Sequence, residues 1–287
     1  MRKNHVFNIL GILAGLNILA WIAVWELGQD GLEVTFFDVG QGDAAFIEMP
    51  GGQQILIDGG PSSVILEKLG KEMPFWDRTI DLIILTHPEH DHMAGLLEVL
   101  KRYEVENILW TGVLRDTAEY EEWIKLLQEE GAKIYIAESG MMISGSPASS
   151  GKPGFLVLYP FESLESKEVK NTNATSIILR LSYGETSFLF TGDAPKSVES
   201  QLLSLAKQLT RAGVLKVGHH GSKTSTSAEF VEAVSPDIAV ISAGKDNKYG
   251  HPHQEVLDNL SGVKVLRTDL DGDIKIVSNG ADYIVKN

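Results

Sequence analysis

The polar and apolar positions fall into two regimes. Val6 to Trp25 is a run of 20 residues without a formal charge, interrupted only by Asn8 and Asn17. A helix of that length spans roughly 30 Å, the hydrocarbon thickness of a bilayer. Arg2 and Lys3 precede it, and Glu26 and Asp30 follow. The positive-inside rule then predicts a cytoplasmic tail at 1–5, a transmembrane anchor at 6–25, a short linker at 26–31 and a single-pass protein of the cytoplasmic membrane, with everything after the anchor extracytoplasmic. Trp21 and Trp25 sit where an interfacial aromatic belt would lie. A cleaved signal peptide and a buried helix are the competing readings. The run is long for a signal peptide, and no small-x-small site follows it.

From Leu32 onward strand and helix patterns alternate. Leu32–Asp38, Ala44–Glu48 and Gln54–Ile57 read as strands, and Val64, Ile65, Leu66 and Leu69 recur at helical spacing. Asp81–Leu85 is a nearly all-apolar run, as expected of a strand buried on both faces. Met93, Leu96, Leu97, Leu100 and Tyr103 form a helical stripe, followed by a strand at Ile108–Trp110, an amphipathic helix at Glu119–Glu130 and a strand at Lys133–Ala137. Ser144–Gly154 is rich in Gly, Pro and Ser and reads as a loop, either a domain linker or, since strand patterns resume on both sides, an excursion within one domain. Ser176–Leu181 and Ser187–Phe190 form a hairpin around Tyr183-Gly184-Glu185; helix, strand and helix patterns continue to Leu260, and Val263–Arg267, Asp273–Val277 and Tyr283–Val285 close the chain. Two mixed sheets between helices accommodate this order, in one domain at 32–287.

Composition narrows the chemistry. The apolar fraction of 43% suffices for a core. There is no cysteine, which excludes disulfides and thiolate metal sites, so any metal is held by His, Asp, Glu or Asn. The net charge of −14 argues against a protein that reads DNA sequence through a basic surface. It argues less against an enzyme that grips a few phosphates, because bound cations invert the local field.

The strongest signal is Thr86-His87-Pro88-Glu89-His90-Asp91-His92, where a buried strand ends and a helix begins. It offers His87, Glu89, His90, Asp91 and His92 as metal ligands at the kind of strand end where α/β sites are built. Asp193 directly follows the apolar run Phe188–Phe190; alone it reads as readily as a helix cap. His219-His220-Gly221-Ser222 follows Val214–Val217, and Tyr249-Gly250-His251-Pro252-His253 adds a further histidine pair. Seven of the eight histidines lie in these clusters, the exception being His5. That clustering makes a purely structural role for them a poor account.

These motifs give the chain a family resemblance. Thr86–His92 resembles the metallo-β-lactamase superfamily signature HxHxDH, read as His87, Glu89, Asp91 and His92. The chain from Leu32 is similar to the C-terminal hydrolase domain of the competence protein ComEC family. The matching segments, in order, are Phe36–Glu48, Asp58–Gly60, Thr86–Leu96, Asn171–Leu181, Leu189–Asp193, His219–Ser225, Ser242–His253 and Arg267–Ile274. The resemblance implies an αββα sandwich and two divalent ions (Zn2+, Mn2+ or Mg2+) sharing a hydroxide that attacks the substrate. His87, Glu89 and Asp193 would serve the first ion; Asp91, His92, Asp193 and His219 the second, with Asp193 bridging. Asp91, His251 and Ser222 are the catalytic candidates, His251 as proton donor to the leaving group. Asn173 and Lys223 are the substrate-binding candidates.

Two departures bear on function. Glu89 stands where the superfamily has His and this branch usually has Asp. The channel and oligonucleotide-binding-like regions of full-length ComEC proteins are missing from this chain, so conduction of DNA would require a partner channel protein. The leading expectation is a phosphodiesterase or nuclease acting on DNA outside the membrane. From Lys207 to Gly250 six basic residues face four acidic ones, the mildly basic part of an acidic chain. A surface hydrolase of another phosphodiester or a lactone is the rival enzyme, and a metal-binding protein without turnover is the rival from another class.

Overall fold

The computed structural model describes residues 2–27, 31–143 and 152–286. A helix, α1 (Arg2–Leu27), covers the uncharged run. Among the described residues, however, no helix is long and apolar enough to cross a membrane. The expected single-pass anchor at 6–25 is therefore not sustained, nor is the localisation that rested on it. The linker residues 28–30 and most of the Ser144–Gly154 loop lie outside the described residues.

Along the remaining chain come β1 (Leu32–Phe36), β2 (Ala45–Glu48), β3 (Gln54–Ile57), α2 (Val64–Glu72), β4 (Thr79–Ile84), α3 (His90–Leu100), β5 (Glu104–Trp110), α4 (Ala118–Glu130), β6 (Lys133–Ile136), β7 (Met142–Ile143) and β8 (Gly154–Tyr159). The second half holds β9 (Ile178–Tyr183), β10 (Thr186–Phe190), α5 (Lys196–Ala206), β11 (Val214–Lys216), α6 (Ala228–Val234), β12 (Ile238–Ile241), α7 (Gln254–Asn259), β13 (Lys264–Arg267), α8 (Thr268–Asp271), β14 (Ile274–Ser278) and β15 (Tyr283–Lys286). One sheet has the order β15-β14-β1-β2-β3-β4-β5-β6 and the other β13-β12-β11-β10-β9-β8-β7.

Strand β4 shows why the sheets stack. Leu82 and Ile84 point into the core between the sheets, where they meet Phe155, Leu179, Phe188 and Val240 of the other sheet. Ile83 and Leu85 point the other way, under Met93, Leu96 and Trp123 of α3 and α4. A run that is apolar at every position fits only a strand covered on both faces. On the far side, Leu189 and Leu215 lie under Val198, Leu202 and Phe230 of α5 and α6. The layers are thus helix, sheet, sheet, helix, the expected sandwich. The strands β7, β8 and β12 and the helix α8 were not given bounds from the sequence.

Candidate metal centre

Strands β3, β4 and β5 run parallel to one another in the first sheet, and β10 to β13 in the second. Their carboxyl ends share one edge of the sandwich. Asp58 follows β3, the Thr86–His92 segment follows β4, Asp193 follows β10, His219 and His220 follow β11, and the turn carrying His251 follows β12. Residues far apart in sequence therefore converge where strands stop, and side chains there have no neighbour along the strand.

Asp193 is buried at the centre, its backbone N–H donating to Ser176 Oγ at 3.0 Å. Four imidazoles face its carboxylate. His92 Nε2 lies 3.3 Å from Oδ1; from Oδ2, His219 Nε2 lies 3.5 Å, His220 Nε2 3.6 Å and His87 Nε2 3.9 Å. Each ring is held from behind through Nδ1: His92 by Asp58 Oδ2 at 2.8 Å, His220 by Asp43 Oδ1 at 3.1 Å and the Ser242 carbonyl at 3.1 Å, His219 by Thr224 Oγ1 at 2.9 Å, and His87 by Thr86 Oγ1 at 3.1 Å. A carboxylate behind Nδ1 fixes the tautomer that turns the Nε2 lone pair inward.

The inward atoms have no hydrogen-bonding use. Nε2 of His87, His92 and His220 and Oδ1 of Asp193 are buried without a partner; the 3.3 Å contact of His92 with Asp193 is not aligned as a hydrogen bond. Orphaned buried polar atoms cost about 1–3 kcal/mol each, and here they converge. Asp91, His92, Asp193 and His220 each offer one ligand atom, all within 4.8 Å of one another. Two imidazole nitrogens and two carboxylate oxygens fit a divalent cation such as Zn2+ or Mn2+. Asp43, Asp58 and His92 also approach one another. There Asp43 Oδ2 has Lys216 as a donor at 2.7 Å and Asp58 Oδ2 has the Thr86 hydroxyl at 2.7 Å, while Asp43 Oδ1 is buried with no aligned hydrogen bond.

Backbone strain brings both histidines in. His219 and His220 have φ of 50° and 55°, left-handed values that cost roughly 1–3 kcal/mol each in non-glycine residues. Gly221 continues at φ 81°, and a Cβ there would lie 2.5 Å from Pro252 Cβ, so only glycine lets the His251 turn pack onto this segment.

Of the residues expected from sequence, His87, Asp91, His92 and Asp193 come together. His219 touches Asp193 but also meets Asn173 Nδ2 at 3.3 Å, and the compact four-ligand group takes His220 in its place. Glu89 lines the same cleft, yet its Oε1 accepts from Arg115 Nη2 at 3.0 Å and from the Thr172 hydroxyl. His90 turns outward to Glu119 at 2.5 Å. Ser222 is buried, and its Oγ accepts from the Thr224 hydroxyl at 3.0 Å, so it braces the support of His219. Lys223 is exposed, its backbone N–H donating to His253 Nδ1 at 3.2 Å. Sequence reasoning assigned no role to Asp43, Asp58, Arg115, Lys216 or Tyr249. For Lys216 the signal was there, a single charge inside the apolar run Val214–Val217.

Burial would push the Asp193 carboxyl up, but the imidazoles of His220 and His92 win and hold it well below the usual range. Burial alone would lower His220; the carboxylates of Asp193 and Asp43 overcome it and raise the imidazolium to about 10. His92 is raised in the same way by Asp193 and Asp58, against its burial. His87 is pushed down to about 3 by burial and by His92. Below its raised pKa a histidine keeps a proton that a cation must displace. We predict that metal uptake at pH 7 releases about one to two protons, from His220 and His92, and that affinity falls about tenfold per pH unit per proton as pH drops. Calorimetry in buffers of different ionisation enthalpy reads this directly; zero release would contradict it.

The comparisons with known proteins agree with this geometry. The Metallo-beta-lactamase superfamily profile matches residues 37–245. The chain is 34% identical over 268 residues to ComE operon protein 3 of Bacillus subtilis, covering 87% of this chain and 33% of that protein. It is 31% identical over 244 residues to competence protein ComA of Neisseria gonorrhoeae, covering 83% of this chain and 31% of that one. It thus spans about a third of the length of these relatives. Among solved structures, the metallo-beta-lactamase fold protein YhfI from Bacillus subtilis superposes with a TM-score of 0.57 at 13% identity, covering 86% of this chain and 99% of that one, a likeness of fold. Two stacked sheets with a histidine–aspartate cluster at their common edge, under a profile that runs through most of them, place the chain in the metallo-beta-lactamase superfamily of metal-dependent hydrolases.

Proposed function

We propose that this hydrolase is a phosphodiesterase that cleaves DNA. The observation that carries the reading is the rim of the cleft. Tyr249 is 55% exposed, stacks on His251 with ring centroids 5.6 Å apart and planes 23° from parallel, and carries Lys248 Nζ 5.2 Å over its ring. An exposed aromatic face beside a cation at the mouth of a carboxylate–imidazole centre suits a base stacked next to its phosphate. Kinship to a protein named for competence agrees with a nucleic-acid substrate.

The cleft, about 160 Å³, is lined by Gln41, Asn173, Tyr249 and His251 around the ligand side chains. A divalent cation held by Asp91, His92, Asp193 and His220 would supply an activated water and charge stabilisation at phosphorus. Asn173 presents its side-chain amide on the cleft wall. His251 is kept in place by Asn247, whose amide donates to the His251 carbonyl and accepts from its N–H at 2.7 and 2.9 Å. Burial and the rings of His220, His219 and His253 push His251 down to about 4. It is neutral at pH 7 in the free protein, so it accepts a hydrogen bond or proton first. The donor role expected from its place in the sequence would need an anionic substrate to raise it.

The test is a Mn2+-supplemented assay on single-stranded DNA, duplex DNA and a small aryl phosphodiester. DNA should be cut. Tyr249→Ala should raise KM for single-stranded DNA about 5- to 150-fold, the loss of ~1–3 kcal/mol of stacking, while leaving the small diester unchanged. Turnover of the small diester with DNA inert would overturn the reading.

A further inference from the structure

Glu89 sits at a position where the superfamily uses a metal ligand, but this chain gives its carboxylate another partner. Arg115, on the loop between β5 and α4, donates to Glu89 Oε1 at 3.0 Å, and the Thr172 hydroxyl donates to the same oxygen. The Arg115–Glu89 pair is partly shielded, its side chains 24% and 33% exposed. A guanidinium beside this carboxylate opposes a second cation twice: it occupies the oxygen and adds a positive charge next to the place the cation would take. The hold is a single-pronged one. Only one guanidinium N–H reaches Glu89, and Arg115 Nε is buried without a hydrogen-bond partner, so the fork that makes such pairs strong is not formed. The compact group of four candidate ligands, Asp91, His92, Asp193 and His220, does not include Glu89.

We propose that Arg115 is a charge lock on Glu89, so that the chain fills one divalent-cation position tightly and takes a second ion only by displacing the arginine. Arg115 is a positioning residue in this scheme, setting metal stoichiometry through Glu89. The inference rests on the metal-hydrolase reading of the centre, but its readout is binding and not turnover.

The experiment is titration of the chelator-stripped full chain with Mn2+, counting free ion by its magnetic-resonance signal. Wild type should bind one equivalent tightly and a second at least about tenfold more weakly. Arg115→Ala should tighten the second equivalent about tenfold or more and leave the first unchanged. Arg115→Lys, which keeps the charge, should stay near wild type, and Glu89→Gln should lose the second ion while retaining the first. Thermal melting of each variant confirms folding, and Arg115→Gln replaces Arg115→Ala if the latter does not fold. Two equal tight equivalents in wild type, or a second equivalent indifferent to Arg115, would overturn the lock. Absence of any tight equivalent in wild type would overturn the hydrolase reading with it.

Discussion

Asp193→Asn should strip the centre of metal and lower kcat by at least about a thousandfold, ~4 kcal/mol of barrier. The substitution keeps the shape of the side chain and removes its charge. Four imidazole Nε2 atoms lie between 3.3 and 3.9 Å of the Asp193 carboxylate. Without that charge, a divalent cation would be buried against neutral rings with Asp91 as its remaining anion, and burial of an undercompensated charge is strongly unfavourable. Elemental analysis of the purified variant should find well under one ion per chain, and an assay on any accepted substrate should find the rate loss in the same preparation. A variant that keeps its full metal content would show that Asp193 is not the hub of the site.

Lys216→Met should destabilise the fold by about 3–5 kcal/mol, the cost of breaking a buried ion pair by removing one partner. Lys216 is 4% exposed at the end of β11, and its ammonium donates to Asp43 Oδ2 at 2.7 Å and to the Val217 carbonyl at 3.0 Å. Asp43 is itself buried; burial would raise its carboxyl, and the neighbouring Lys216 and His220 hold it down. The methionine leaves that carboxylate with His220 alone. Thermal denaturation should show a fall of roughly 6–20 °C, since 1 kcal/mol shifts a domain of this size by ~2–4 °C. The double change Lys216→Met with Asp43→Asn should recover most of the loss, because it removes the stranded charge. A single variant that melts with wild type would mean the pair is solvated in solution.

The sandwich was legible because its inner strands are apolar at consecutive positions. Leu82, Ile83, Ile84 and Leu85 match a strand covered on both sides, and they divide between the two cores. The candidate ligands that cluster in sequence, His87, Asp91 and His92, were legible for a related reason: five side chains able to bind a metal, set at one strand end, have little structural purpose together. What sequence could not supply is which of two adjacent histidines, both facing Asp193, stands beside Asp91. His219 and His220 are adjacent and both left-handed, and only the backbone path decides that His220 joins Asp91 within 3.2 Å. Likewise nothing in the sequence ties Glu89 to Arg115, 26 residues away, whose guanidinium donates to its carboxylate. The apolar run at 6–25 matched a spanning length, yet length is a necessary condition only. Asn17 turns its amide back onto the Leu13 carbonyl at 3.0 Å within the helix that forms there, and no described helix meets the length and apolarity needed to cross.

The two sheets contribute different halves of the candidate ligand group. Asp91 and His92 come from the sheet of β4, whereas Asp193 and His220 come from the sheet of β10 and β11. An ion gripped by all four is therefore a rivet through the seam of the sandwich, closing chain segments as distant as those of a long-range disulfide in a protein that has no cysteine. Binding to the folded chain alone adds its free energy to that of folding. The same side chains that would perform the chemistry would thus fasten the two halves to each other, and a cell that starved the protein of metal would loosen its architecture along with its activity.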